Sequence, residues 1–217
     1  MQEVIIAGMH SLYGLEPVIG NPYAKISHNG MHFTVTTYRV RNFGALAVID
    51  MKAMFGLLKM ESVILNAEHK DLPLYSGDLI RAAGKVTLLQ EFYNTMADPM
   101  PEAVKAPYRR VREKYKDLPP YKTGPRWYDG IRYDFSFGAA GRELKETEKQ
   151  ITKDYFDAYL ENIAAAPACD PAEKRKKTAA YVDALFKNGG PAADQFRKMI
   201  GAEAAREVFE KYVFCCR

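Results

Sequence analysis

The chain has 217 residues, of which 47% are hydrophobic, and a formal net charge of +4. This length can bury a substantial core, and we expect a single domain over residues 1–217. The mild positive charge excludes the dense basic surface of a nucleic-acid-binding protein but suits an acidic partner. No apolar run is long enough to span a membrane, so we expect no membrane partner.

The three cysteines carry no metal-binding or disulfide pattern. Cys169 stands alone and Cys215 and Cys216 are adjacent, without a CxxC spacing. Free thiols are typical of a reducing compartment, and the first residues do not resemble a signal peptide. We therefore predict a cytoplasmic protein. The chain also lacks the GxGxxG and GxxxxGK[ST] motifs of nucleotide sites.

Residues 31–96 predict a β-meander, after an ambiguous start in which Glu3 to His10 fits either a strand or a helix. Five segments alternate in polarity and are rich in Thr, Val and Tyr. They are MHFTVTTYRVRN, ALAVIDMKAM, LLKMESVIL, LPLYSGDLIRAA and GKVTLLQEFY. The short breaks between them indicate an antiparallel sheet.

Residues 101–217 are mainly helical in pattern, after a linker that contains Pro99, Pro101 and Pro107. The predicted helices are YRRVREKYKD, ELKETEKQITKDYFDAYLENIAAA, PAEKRKKTAAYVDALFKN and one or two closing helices that break at Gly201. The first of these is basic and either docks an acidic protein or is an ordinary solvated face. Strands followed by helices predict an α+β fold with helices packed on the sheet.

Asp78 is a candidate functional residue because it falls within a predicted strand, LPLYSGDLIRAA, near Ser76. A carboxylate inside a sheet is costly unless it is paired or used. The alternative is an edge strand with Asp78 in water.

A second candidate lies in the hairpin between the second and third predicted strands. A turn centred on Phe55-Gly56 makes Asp50 face Glu61. Facing carboxylates destabilise a sheet and raise one pKa, which suits a group that transfers protons. The alternatives are a one-residue bulge, or neutralisation of the pair by Lys52 and Lys59.

Several segments, in order, resemble the ferredoxin-dependent bilin reductases and red chlorophyll catabolite reductase. They are LPLYSGD, PRWYDGIRYDFSF, YVDALFKNGG, QFRKMIG and AREVFEKYVF. The resemblance implies a three-layer α/β/α sandwich with a central antiparallel sheet. It also implies an oxidoreductase that reduces a linear tetrapyrrole such as biliverdin by a radical mechanism, with protons supplied by the protein. The substrate would lie between the sheet and the C-terminal helices.

The same resemblance implies a monomer with no metal and no permanently bound cofactor, supplied with single electrons by external reduced ferredoxin or flavodoxin. Asp78 matches the family's proton-donating aspartate. Glu61 and Asp50 fall at or near the positions of a further proton-handling pair, and we expect all three carboxyls on one face of the sheet. The candidate substrate-binding residues are Ser76, Ser136, Arg142 and Lys187, although ordinary surface roles also fit Arg142 and Lys187.

Two departures from the family pattern leave an alternative function open. The turn Asn188-Gly189-Gly190 lacks a second acid that several members use, and EFYNTMADPMP replaces the Asp-Leu-Ser-Pro that commonly closes the meander. The missing acid favours a non-catalytic protein that binds a tetrapyrrole or haem catabolite on the same fold. Asp78 and the acid pair favour the enzyme.

Overall fold

The computed structural model describes all residues from 1 to 217 and contains one eight-stranded sheet. The strands are β1 (Leu15–Pro17), β2 (Lys25–His28), β3 (Met31–Val40), β4 (Gly44–Ala53), β5 (Leu58–Ala67), β6 (Leu74–Ala82), β7 (Lys85–Tyr93) and β8 (Phe137–Gly141). Strands β3 to β8 follow one another across the sheet in chain order, and all pairs are antiparallel. β1 and β2 both pair with the outer edge of β3.

Six α-helices cover the sheet. They are α1 (Gln2–Tyr13), α2 (Glu102–Lys114), α3 (Leu144–Ala165), α4 (Pro171–Asn188), α5 (Pro191–Ile200) and α6 (Ala202–Glu207), which continues as π-helical turns over Val208–Val213. Asp170 caps α4 through a hydrogen bond from the Ala172 amide, and Pro171 occupies its first turn. None of the helices is both long and apolar enough to cross a bilayer.

The five predicted strands are confirmed as β3 to β7, and the predicted hairpin register is confirmed. Asp50 faces Glu61, and Lys52 faces Lys59. The sequence analysis missed β8, because FGAAG has too few β-branched residues to stand out. It also placed Pro107 in a linker, whereas Pro107 lies inside α2 and is buried beside Tyr108. The burial of this pair against the core outweighs the poor helix propensity of proline.

Two hydrophobic cores lie on opposite sides of the sheet, so the predicted three-layer sandwich is confirmed. One core joins α1, α2 and α3 to the side that we call the first face, with Leu46, Val63 and Tyr75 among its sheet residues. The other joins α4 to α6 to the second face, with Phe33 and Ile49 among its sheet residues. Successive side chains of a strand alternate between these faces.

The second face is only partly covered by the C-terminal helices. In β6 and β7 the first-face residues Gly77, Leu79 and Leu88 are buried, whereas the residues between them are partly exposed. We call this partly exposed strip of the second face the trough. It consists of Met60, Ser76, Asp78, Ile80, Thr87 and Leu89. The trough leaves room for a ligand between the sheet and the C-terminal helices.

Candidate functional site

Asp78 lies in the middle of the trough, directly across from Ser62 of β5. The hydroxyl of Ser62 donates a short hydrogen bond to the Asp78 carboxylate. Burial raises the pKa of Asp78 to about 6; the Ser62 hydrogen bond lowers it and the charge of Glu91 raises it further. A carboxyl group with this pKa exchanges a proton readily near neutral pH.

Glu91 is a second acid on the face that carries Asp78, and the sequence analysis missed it. It pairs with Ser76 across β6 and β7, and its side chain is buried. Its carboxylate accepts hydrogen bonds of 2.8 Å from the Tyr93 hydroxyl and 2.8 Å from Arg132. Glu91 lies in the predicted strand KVTLLQEFY, so it meets the criterion that identified Asp78, a carboxylate inside a predicted strand.

Aromatic rings line the site beside these acids. The ring centroid of Tyr93 lies 5.1 Å from that of Tyr181 in α4 and 5.6 Å from that of Tyr128. Trp127 lies 5.8 Å from Tyr181, and its indole nitrogen donates a 2.8 Å hydrogen bond to the Gly189 carbonyl. This bond fastens the segment between α2 and β8 to the end of α4. The rings form a wall suited to a flat conjugated ligand.

Glu61 and Asp50 lie on the opposite face from Asp78, so the expectation of one shared face is wrong. Glu61 pairs with Leu79, the neighbour of Asp78, and successive residues of a strand point to opposite sides. The residue across from Asp78 is Ser62, and the residue across from Ser62 in β4 is Ile49. Neither Ser62 nor Ile49, the next two residues across the sheet from Asp78, carries a group that titrates near neutral pH.

The predicted rise in pKa within the acid pair is also not found at Glu61. Burial opposes ionisation of Glu61, but the amino group of Met1 at 3.3 Å and Arg81 at 3.0 Å outweigh it and hold the pKa of Glu61 below its usual value. Asp50 accepts a 3.5 Å hydrogen bond from Thr34. Glu61 therefore belongs to an ion-pair network on the first face, and Asp50 lies beside it without an ion pair of its own.

The four candidate substrate-binding residues are not brought together. Ser76 lies in the trough near Asp78. Ser136 lies beside β7, where its hydroxyl accepts a 3.0 Å hydrogen bond from the Phe92 amide. Arg142 is exposed just past the end of β8, and Lys187 is exposed in the last turn of α4. Of the four, the trough therefore contains only Ser76, and Ser136 lines a neighbouring cleft at the β8 edge of the sheet.

This cleft of about 770 Å³ opens at the β8 edge of the sheet, meets the trough at Leu89 and is also lined by Glu91. Its volume is within the usual range for ligand pockets. Arg132 and Tyr128 line it, as does Arg112 from α2. The cleft therefore adds two arginines to the neighbourhood of the trough.

Most basic residues of α2 form ion pairs within the chain. The helix therefore does not present the free positive surface expected of a helix that docks an acidic protein. Arg112 makes no ion pair, whereas four others do. The four are Lys105 with Glu102, Arg109 with Glu102 and Asp134, Arg110 with Glu161, and Lys114 with Asp154. Lys116, just after the helix, pairs with Glu113. Paired surface charges attract a distant acidic partner weakly. The hypothesis that α2 recruits such a partner therefore loses most of its support.

Comparison with known proteins shows a shared fold. No protein-family model matches the chain, and no curated protein sequence matches it. Among solved structures, phytochromobilin synthase from tomato in complex with biliverdin superposes with a TM-score of 0.79 at 12% sequence identity. The match covers 99% of this chain and 82% of the tomato chain. The fold expected from the sequence resemblance, that of the bilin reductases, is thus confirmed.

Proposed function

We propose that this chain is an oxidoreductase that reduces a linear tetrapyrrole of the bilin class, with biliverdin as the first substrate to test. The observation that carries the proposal is Asp78, a carboxyl group with a pKa of about 6 at the open half of the second face. Support comes from the fold, because a solved protein of the same fold holds biliverdin. Groups with strongly shifted pKa values cluster at functional sites.

Reduction of one double bond consumes two electrons and two protons. The electrons arrive one at a time from an external reduced carrier of the ferredoxin or flavodoxin type, which is oxidised. Asp78 gives its carboxyl proton to the reduced tetrapyrrole and becomes a carboxylate. Because Asp78 is partly exposed, it regains a proton from water and serves the second transfer. Ser62 holds the carboxylate in place between the two transfers.

The flat body of the substrate would lie along the trough against the wall that includes Tyr128 and Tyr181, where its apolar area is removed from water. Its carboxylates need cationic partners. Arg132 and Arg112 line the adjoining cleft and are better placed than Arg142, which lies beyond the end of β8. Lys187, two residues before the Gly189 carbonyl that Trp127 contacts, is a further candidate.

A non-catalytic tetrapyrrole-binding protein is the second candidate. It is favoured by two missing acids, since Ser62 and Ile49 follow Asp78 across β5 and β4 and the Asn188 turn carries no acid. A binding protein gains nothing, however, from a carboxyl group held in a partly buried position that raises its pKa. Asp78 therefore favours the enzyme.

The test is anaerobic incubation of the protein with biliverdin and a ferredoxin-reducing system, followed by absorption spectra. A reductase converts biliverdin to products with shifted absorption, with several turnovers per protein molecule. A binding protein shifts the spectrum once, on complex formation, and produces no reduced bilin. If the spectrum of biliverdin does not change on mixing, neither candidate is correct.

A further inference from the structure

The hairpin between β4 and β5 ends in an apolar tip whose three large side chains are exposed. The tip consists of Met54, Phe55, Gly56 and Leu57. Met54 is 64% exposed, Leu57 is 70% exposed and Phe55 is fully exposed. Large apolar side chains are usually at least partly covered in a soluble protein, and a contiguous exposed group marks an interaction site.

The backbone of the tip is as unusual as its exposure. Met54 and Phe55 have φ values of +51° and +54°, the left-handed region that side chains other than those of Gly, Asn and Asp rarely occupy. Hairpin turns of this geometry favour Asn-Gly. Met and Phe stabilise neither the turn nor the core here. Their presence therefore points to a contact outside the chain.

Cations lie directly behind the tip and along the same end of the sheet. Lys52 and Lys59 face each other directly across β4 and β5, where like charges repel. Lys85 and Arg142 lie at the same end of the sheet, because β6–β7 turns there and β8 ends there. All four side chains are exposed and none makes an ion pair. Glu143 is an acid on the same rim, and the rim keeps a net positive charge.

We propose that this tip inserts into an anionic membrane surface, so that the protein binds the membrane peripherally. Lys52 and Lys59 lie three or four residues from Phe55, which places them about 10 Å or less behind the apex. Amphipathic membrane anchors bury their apolar groups about 5–10 Å deep with cations at the phosphate level. The tip has its apolar side chains outermost and its lysines behind them. In a bilayer the hydrocarbon likewise lies beneath the layer of phosphates, so the two arrangements match.

A protein partner fits the tip less well. Three exposed side chains on a convex hairpin offer on the order of 400 Å², about half of what one partner contributes to a standard interface. A bilayer does not need a complementary shape, because lipids rearrange around an inserted side chain. The proposal does not depend on the reductase function, since it uses none of the residues of the trough.

Sedimentation with lipid vesicles tests the proposal. The full chain is mixed with vesicles of phosphatidylcholine alone or of phosphatidylcholine with phosphatidylserine. We expect the wild type to sediment with the anionic vesicles. The variant Met54→Asn/Phe55→Gly should bind at least about tenfold more weakly while melting at or above the wild-type temperature, because its turn residues suit the backbone.

Two further variants separate charge from general surface effects. Lys52→Gln/Lys59→Gln should weaken binding to anionic vesicles roughly thirtyfold, since each lysine near the surface contributes about fivefold. Ile19→Ser removes an apolar side chain that is 84% exposed away from the tip and should bind like the wild type. A Phe55→Trp variant should show a blue-shifted emission on addition of anionic vesicles.

The proposal is overturned if the wild type stays in the supernatant with anionic vesicles, or if the Met54→Asn/Phe55→Gly variant sediments as well as the wild type. If the wild type does not sediment but the variant slows reduction by ferredoxin, the tip docks a protein and the membrane proposal is wrong. Vesicle binding is measured without substrate, so a failure of the reductase assay leaves this test unaffected.

Discussion

The hydroxyl of Ser62 donates a hydrogen bond to the carboxylate of Asp78 across β5 and β6, on the face of the sheet opposite to Glu61. The carboxyl groups of this part of the sheet fall into two sets that lie on opposite faces. Asp78 and Glu91 lie on the second face, Asp78 within the trough and Glu91 next to it. Asp50 and Glu61 lie on the first face. Only the former set is placed to meet a ligand beneath the C-terminal helices.

The Asp78→Asn variant should keep biliverdin binding nearly unchanged, because the amide has the same shape, and should lose reductase turnover by roughly a hundredfold or more. The matched control is Glu61→Gln, which removes a carboxyl group one residue away from Ser62 on the other face. We expect the control to bind and reduce biliverdin at the wild-type rate. Single-turnover absorption spectra distinguish the two variants, and equal loss in both would refute the assignment.

Reductase turnover should decrease as the pH rises above about 6, because Asp78 then loses the proton that it donates. The Ser62→Ala variant removes a hydrogen bond that stabilises the charged carboxylate, so the pKa of Asp78 should rise. The pH at which turnover begins to decrease, the alkaline limb of the pH profile, should therefore move to a higher value. The measurement is turnover against pH for both proteins. Superimposable profiles would show that Asp78 does not control the limb.

The Asp78→Asn variant should also be more stable than the wild type at alkaline pH. The pKa of Asp78 is higher in the folded chain than the ordinary value of 3.8, so the folded state binds more protons and the free energy of unfolding falls as the pH rises from about 4 to about 6. Above about pH 6 the free energy of unfolding of the wild type is therefore roughly 2 kcal/mol lower than that of the Asp78→Asn variant. Urea unfolding at about pH 8 and about pH 4 tests this, because the advantage of the variant should be lost at the lower pH.

The Arg112→Gln variant should weaken biliverdin binding by about tenfold, because Arg112 lines the cleft without an ion pair and a charge-assisted contact to a carboxylate contributes about 1.5 kcal/mol or more. Arg142→Gln is the matched control, because Arg142 lies past the end of β8 and outside the cleft. Titration of each variant with biliverdin, followed by absorbance, gives the two affinities. If Arg142→Gln weakens biliverdin binding more, the site that binds the substrate carboxylates lies at the end of the sheet, near Arg142.

Much of the fold was determined by local features of the sequence. Period-two alternation in β3 to β7 predicted the meander, and the turn at Phe55-Gly56 predicted the register in which Asp50 faces Glu61. Pro171 and the glycines after Asn188 predicted the bounds of α4. These features are local, because backbone geometry and turn chemistry act between residues that are close along the chain. Asp78 was found in the same way, as an acid inside a strand.

The tertiary structure decided which side chains share a face and which charges are free. The register between β5 and β6 depends on how two strands separated by a loop align, and a shift of one residue would exchange Ser62 for Glu61 beside Asp78. Arg132 reaches Glu91 from a segment 41 residues further along the chain. The ion pairs of α2 and the exposed tip at Phe55 likewise depend on what packs nearby. Burial and charge pairing are properties of the folded chain, so the sequence alone did not determine them.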